Sequence, residues 1–142
     1  MEQKESRHPA LGIDYGEARV GVAATDMLGI LAHPVESILR KRVDPVERIA
    51  ELAFRCGART LVLGLPLRLD GEEGSSAAKV RAFGVLLQSR LPDIPLVYVD
   101  EFMTTVAAQE KLRSAGRKTV RHRAVIDQAA AVEILNNWME SL

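Results

Sequence analysis

The sequence predicts an α/β fold in which helices cover both faces of a mixed five-stranded sheet. Three strand-like segments follow one another at the start of the chain, and this succession favours an antiparallel meander. The later strands alternate with helices, and this alternation favours parallel pairing. The expected order is therefore three strands, helix, strand, helix, strand and two helices.

The first three strands are predicted at residues 10–15, 19–25 and about 30–38. Residues 16–18 form a connection short enough for a hairpin between the first two. A helix should begin after Asp44, which can cap it, with Pro45 at its first position and Glu47 completing a capping box. Gly57 is expected to end this helix.

The second half of the chain should alternate strands with helices. Ser75 or Ser76 can cap one of these helices, and Thr104 or Thr105 can cap another. The predicted elements are a strand at 60–64 followed by a loop at 65–71, a helix from about 75, a strand at 96–99, a helix ending near Gly116 and a final helix over about 124–140.

The composition is that of an ordinary globular domain. The chain has 142 residues, of which 47% are hydrophobic and 27% charged, and no apolar run reaches the ~20 residues of a membrane span. We expect a polar tail at 1–9, including His8, and a single domain over 10–142. The tail lacks the apolar core of a signal peptide, so a cytoplasmic location is expected. Cys56 is the only cysteine, which excludes an internal disulfide and a thiolate zinc cluster.

The net charge is zero, but the basic residues are clustered. Residues 111–123 carry no acidic residue. A basic run is usually a solvated loop, but the position of this one directly before Asp127 favours contacts with nucleic-acid phosphates more than its charge alone would. A second short cluster occupies residues 40–42. The basic residues of the longer stretch are Lys111, Arg113, Arg117, Lys118, Arg121 and Arg123.

Three acidic residues occupy positions where a solvated surface acid is not expected. Asp14 follows the apolar residues 11–13, Glu101 follows the strand-like segment 96–99, and Asp127 lies in an apolar stretch of the last helix. An ionised carboxylate beside a packed core is costly unless a cation compensates it. The set therefore suggests oxygen ligands for a hard divalent cation such as Mg²⁺ or Mn²⁺. The alternative is that each acid is separately capped or paired in an ion pair.

The predicted topology can bring these acids together. Asp14 lies near the end of the first strand and Glu101 just past the last one. Sites in such sheets gather at strand ends. Asp127 shares a helix face with Ala131 and Ile134, and packing of that face on the sheet would carry its carboxylate toward the same edge.

Four segments of the chain, taken in this order and spacing, resemble the YqgF/RuvX family. The resemblance covers about residues 11–138. The matching segments are Gly12-Ile13-Asp14-Tyr15-Gly16 with Arg19-Val20-Gly21-Val22-Ala23, Gly64-Leu65-Pro66-Leu67 with Asp70-Gly71, Asp100-Glu101 with Thr104-Thr105, and Asp127 with the alanines that follow it.

The resemblance implies a ribonuclease-H-like fold and a divalent-metal-dependent endonuclease, with Asp14, Glu101 and Asp127 as catalytic acids and metal ligands. The implied reaction is maturation of the 5′ end of small-subunit ribosomal RNA or, alternatively, resolution of Holliday junctions. Phe102 departs from the family, which commonly has Arg after the acidic pair.

Other readings stay open at this point. The Asp14–Gly16 hairpin also resembles the phosphate-binding lobe of actin-like ATPases and sugar kinases, although this chain has residues for one lobe only. A non-catalytic nucleic-acid-binding module is a third class.

The expected partner is precursor rRNA or branched DNA, with Arg117, Lys118, Arg121 and Arg123 as phosphate contacts. Junction cleavage on opposed strands would favour a symmetric homodimer.

Overall fold

The computed structural model describes residues 7–102 and 120–142, with side chains for 7–101 and 125–142. The predicted third helix, near residues 104–116, lies outside the described residues. No helix in the described part of the chain has the length and apolar character needed to cross a bilayer. The elements are β1 (Ala10–Tyr15), β2 (Arg19–Thr25), β3 (Ala32–Leu39), α1 (Pro45–Cys56), β4 (Thr60–Leu67), α2 (Ser75–Arg90), β5 (Leu96–Phe102) and α3 (Val120–Glu140).

The five strands form one mixed sheet, as predicted. Their order is β3-β2-β1-β4-β5. The pairs β1–β2 and β2–β3 are antiparallel, whereas β1–β4 and β4–β5 are parallel. The predicted fold class, an α/β sheet that is antiparallel over its first three strands and then parallel, is therefore confirmed.

The alternation of side chains along the strands divides the core into two layers. Leu11 and Ile13 of β1 face α1 and α2, together with alternate residues of the neighbouring strands. Ala10 of β1 and Ala23 of β2 face the opposite layer, which α3 covers. Small residues on this second face allow α3 to approach the sheet closely. The buried residues that α3 contributes are Ala131, Ile134, Leu135 and Trp138.

Several predicted boundaries are wrong. Strand β4 continues to Leu67 rather than ending in a loop after Gly64, because Leu65 and Leu67 are buried and pair with β5. Strand β5 continues to Phe102, so Glu101 lies within it. Helix α2 is capped by Gly74 rather than by a serine, and no side chain bonds to that cap.

The predicted start of α1 is confirmed in part. The Asp44 side chain accepts a hydrogen bond from the backbone N–H of Val46 (3.0 Å), and Gly57 ends the helix with φ of 65°. Glu47, expected to complete a capping box, instead forms an ion pair with Arg90 (2.7 Å).

His8, which the sequence analysis placed in the polar tail, is buried. Its side chain is only 2% exposed, and its Nδ1 lies 2.7 Å from the Thr25 hydroxyl. Its ring also packs against Trp138, with 5.3 Å between centroids. These contacts anchor the end of the tail between β2 and α3, because the hydrogen bond to Thr25 offsets part of the cost of burying the imidazole.

An ion pair attaches the edge strand β3 to α1. Arg48 donates two hydrogen bonds to Glu36 (2.6 and 2.8 Å), and these bonds hold the pKa of Glu36 below its usual range. A lowered pKa means that this stabilisation is present above the ordinary pKa of a glutamate and is lost as the pH falls through the lowered value.

Glu36→Gln should therefore lower the free energy of unfolding by up to about 1 kcal/mol at pH 7 and by less at pH 3. Urea unfolding at both pH values measures this, and an equal loss at both would contradict it.

Candidate active site

The first strand presents Asp14 to the face that α3 covers. Gly12, two residues earlier on the same face, is so close to α3 that a Cβ there would lie 2.7 Å from the backbone oxygen of Ala131. Asp14 pairs with Gly21 across the β1–β2 ladder, so the two residues share this face. The Asp14 carboxylate is half-buried at the carboxyl end of β1.

Helix α3 places Asp127 over the neighbouring strand. A Cβ on Gly21 would overlap the backbone oxygen of Asp127 and lie 3.1 Å from its Cβ. The Ser37 hydroxyl donates a hydrogen bond to the Asp127 carboxylate (3.2 Å), and Ser37 pairs with Gly21 in the β2–β3 ladder. Because Gly21 also pairs with Asp14, the Asp127 backbone lies over the strand pair that carries Asp14.

The last strand brings Glu101 to the same face from the other side of β1. Its side chain reaches across Gly64 of β4, where an added Cβ would lie 2.7 Å from a Glu101 carboxylate oxygen. The same Cβ would lie 2.6 Å from Ile134 of α3. Gly64 directly follows Leu63, which pairs with Ile13 of β1, so the Glu101 carboxylate lies between β4 and α3 next to the strand of Asp14.

The structure therefore brings the three predicted acids to one face and one edge of the sheet, each of them half-buried. Three glycines make this possible, since each gives room to α3 or to an acidic side chain. The sequence analysis assigned no packing role to these glycines. The available signal was their alternation with apolar residues on the strands that flank the acids. The three glycines are Gly12, Gly21 and Gly64.

The donor set fits a hard cation in its chemistry, because all three groups are carboxylates. Within residues 7–102 and 120–142, however, no group of three or more His, Cys, Asp or Glu side chains has the spacing of a metal-binding cluster. The role of Asp14, Glu101 and Asp127 as metal ligands therefore stays a prediction.

The predicted phosphate contacts lie mostly beyond the described part of the chain. Arg117 and Lys118 are outside it, and Arg121 and Arg123 belong to the start of α3, where only the backbone is described. The backbone of Phe102 pairs with Leu67 at the end of β5, and its side chain is also outside the described set. The roles of these residues stay predictions.

Comparison with known proteins gives consistent matches over nearly the whole chain. The family model of RuvX, described as a Holliday junction resolvase, matches residues 8–141. A protein of Nocardia farcinica is 43% identical over 137 residues, which are 92% of this chain and 76% of that protein. A protein of a Nocardioides species is 47% identical over 135 residues, which are 92% of this chain and 86% of that protein. Both carry the name "Putative pre-16S rRNA nuclease".

Among solved structures, RuvC of T. thermophilus, in complex with a Holliday junction substrate, covers 90% of this chain and 79% of its own. The TM-score is 0.45 and the sequence identity 18%.

Proposed function

Since the chain belongs to the RuvX family, we propose that it is a divalent-metal-dependent endonuclease that hydrolyses phosphodiester bonds of precursor small-subunit ribosomal RNA. The observation that carries the proposal is the convergence of Asp14, Glu101 and Asp127 on the α3 face of the sheet. The relatives at 43% and 47% identity favour ribosomal RNA as the substrate. Such processing would take place in the cytoplasm.

Phosphodiester hydrolysis requires an activated water and stabilisation of charge on the attacking and leaving oxygens. A bound Mg²⁺ or Mn²⁺ supplies both functions. Asp14, Glu101 and Asp127 would hold the ion through their carboxylate oxygens. Ser37 orients the Asp127 carboxylate by its hydrogen bond. Gly64 leaves the space that the Glu101 side chain occupies.

A second candidate substrate is a four-way DNA junction, which the family description favours. Its phosphodiester groups would present the same chemistry to the three acids, so the proposed site serves either substrate. Paired cleavage of opposed junction strands would require two sites, and a symmetric homodimer would supply them.

The proposal is tested by incubating the purified protein with precursor rRNA in Mg²⁺, Mn²⁺ or EDTA. We expect cleavage with either metal and none with EDTA. Binding without cleavage under all three conditions would overturn the proposal and leave the non-catalytic binding module. A calorimetric titration with ATP tests the actin-like alternative. That alternative requires a heat of nucleotide binding, and we expect none.

We also propose that the basic stretch before α3 contacts the phosphate backbone. Replacing Arg117, Lys118, Arg121 and Arg123 together with Gln should weaken RNA binding and flatten its salt dependence, because fewer counterions are released. The slope of log affinity against log salt should fall by about 3, at roughly 0.7 for each contact to a single strand.

The matched control for this variant is Arg55→Gln combined with Arg59→Gln. Both arginines are exposed and lie at the end of α1 and just before β4, away from the carboxyl ends of β1 and β5. The control should keep the wild-type slope. A wild-type slope in the four-residue variant would show that the stretch is only a solvated loop.

A further inference from the structure

A pocket of about 440 Å³ opens at the same edge of the sheet as the acids but on the other face. Tyr15 lines it, and Tyr15 follows Asp14 on β1, where successive side chains point to opposite faces. The β1–β2 hairpin, the end of β3 and the first turns of α2 form its walls. The pocket is therefore separated from the three acids only by the thickness of the sheet.

The Arg40 guanidinium lines one wall of this pocket, where contacts with the protein hold it in place. The Arg40 guanidinium donates hydrogen bonds from Nη1 to the backbone oxygens of Gly16 (3.0 Å) and Glu17 (2.8 Å). It also lies 4.7 Å above the centre of the Tyr15 ring. Within the described part of the chain, no protein acceptor bonds to its Nε or Nη2. A guanidinium fixed in this way loses little conformational freedom when it binds an anion.

The Tyr15 ring cannot serve as a platform for a base. Phe83 stacks on one face with 4.3 Å between centroids, and Arg40 covers the other. Stacking on a single-stranded base needs a free aromatic face. Tyr15 is therefore a half-buried aromatic of β1, and the pocket offers charge and hydrogen bonds rather than a stacking surface.

The opposite wall adds further groups that attract an anion. Ser76 and Lys79 belong to the first turns of α2, where the positive end of the helix dipole favours negative charge. The Lys79 ammonium is 3.3 Å from the Glu17 carboxylate, and the two side chains are 62% and 90% exposed. An exposed ion pair of this kind is weak, so Lys79 can exchange Glu17 for another anion.

We propose that this pocket binds a phosphate group of the substrate's sugar–phosphate backbone, beside the phosphate that lies at the three acids. Arg40, Lys79 and Ser76 would contact its oxygens, and Glu17 would compete with it. The proposal rests on the proposed function, in which a polynucleotide crosses this edge of the sheet. Two separate phosphate contacts on one strand would fix its direction across the acids.

The test is RNA binding by the 142-residue chain in EDTA, where cleavage does not interfere. Arg40→Gln and Lys79→Gln should each raise the dissociation constant by roughly three- to tenfold and lower the salt slope by about 0.7 to 0.9. Arg59→Gln removes the same charge outside the pocket and should change neither quantity. Glu17→Gln should lower the dissociation constant by roughly two- to fivefold, because it removes the competing carboxylate.

Two features keep this test decisive. Arg40 also supports the hairpin, so thermal melting is measured for each variant, and the exposed Lys79 carries the result if Arg40→Gln is unstable. A gain of affinity in Glu17→Gln cannot come from misfolding. A wild-type slope in Lys79→Gln, together with unchanged affinity in Glu17→Gln, would overturn the proposal.

Titration of the protein with inorganic phosphate and with a nucleoside monophosphate distinguishes a phosphate of the RNA backbone from a small phosphate-bearing ligand. We expect both small molecules to bind weakly. Only for RNA should Lys79→Gln lower the slope of log affinity against log salt. Tight mononucleotide binding that depends on Lys79, with an unchanged RNA slope, would assign the pocket to a small ligand and overturn the proposal. Because these measurements exclude metal, failure of cleavage in the separate Mg²⁺ assay would count against the nuclease function and not against the pocket.

Discussion

Asp14→Asn, Glu101→Gln and Asp127→Asn should each reduce cleavage by at least about a hundredfold, since stabilisation by a bound metal supplies several kcal/mol. Each substitution keeps the shape of the side chain and removes its charge. Single-turnover cleavage of precursor rRNA in Mg²⁺ measures the effect. The fold should be retained, because the amide oxygen introduced by Asp127→Asn would still accept the hydrogen bond from Ser37.

The melting temperature in metal-free buffer separates loss of chemistry from loss of structure. It should hold or rise in these variants, because like charges near one another repel. Asp93→Asn is the matched control, since Asp93 is exposed in the turn before β5 and its replacement should leave cleavage unchanged. If all three variants of the acids cleave like the wild type, the assignment of the site is wrong.

Gly21→Ala should lower the free energy of unfolding by about 2–3 kcal/mol, the upper part of the usual cost of overpacking a core. The added methyl group would overlap the backbone oxygen of Asp127. Helix α3 must then move away from the sheet and take the Asp127 carboxylate with it, so cleavage should fall as well. Strand propensity alone predicts the opposite sign, because Ala is normally preferred to Gly within a strand.

Chemical denaturation measures this change, with Gly74→Ala as the control. At Gly74 the nearest atoms to an added Cβ belong to the flexible Arg68 side chain, at 3.2 and 3.4 Å. The control should lose no more than about 1 kcal/mol through its weaker helix cap. A Gly21→Ala protein that is as stable and as active as the wild type would show that α3 does not depend on close contact at this position.

The strands and the first helix could be predicted because their signals are local. Alternating apolar residues mark β1 and β2, and Asp44 and Gly57 mark the two ends of α1. The extension of β4 was missed because Pro66 favours a loop, whereas pairing of this segment with β5 and burial of Leu67 favour a strand. Such pairing between distant segments is decided by tertiary structure, which local propensity does not contain.

The candidate site was predictable in its acids but not in its packing. Asp14, Glu101 and Asp127 stood out because carboxylates are expensive beside apolar segments. The contribution of Gly21 and Gly64 depends on which strand face α3 covers, and this is visible only when distant elements are assembled. The pocket beside Tyr15 was missed for the same reason, since Arg40 and Lys79 come from separate elements of the chain.

The most direct test of the central claim compares three substrates in one assay. A precursor rRNA fragment that spans the 5′ end of the small-subunit RNA, a four-way DNA junction and a linear duplex are incubated with wild-type protein or with Asp14→Asn. We predict Mg²⁺-dependent cleavage of the rRNA fragment by the wild type, no cleavage by Asp14→Asn, and no cleavage of the linear duplex. Cleavage of the junction alone would assign the site to branched DNA. Equal cleavage by wild type and Asp14→Asn, or cleavage by neither in Mg²⁺ or Mn²⁺, would contradict the account.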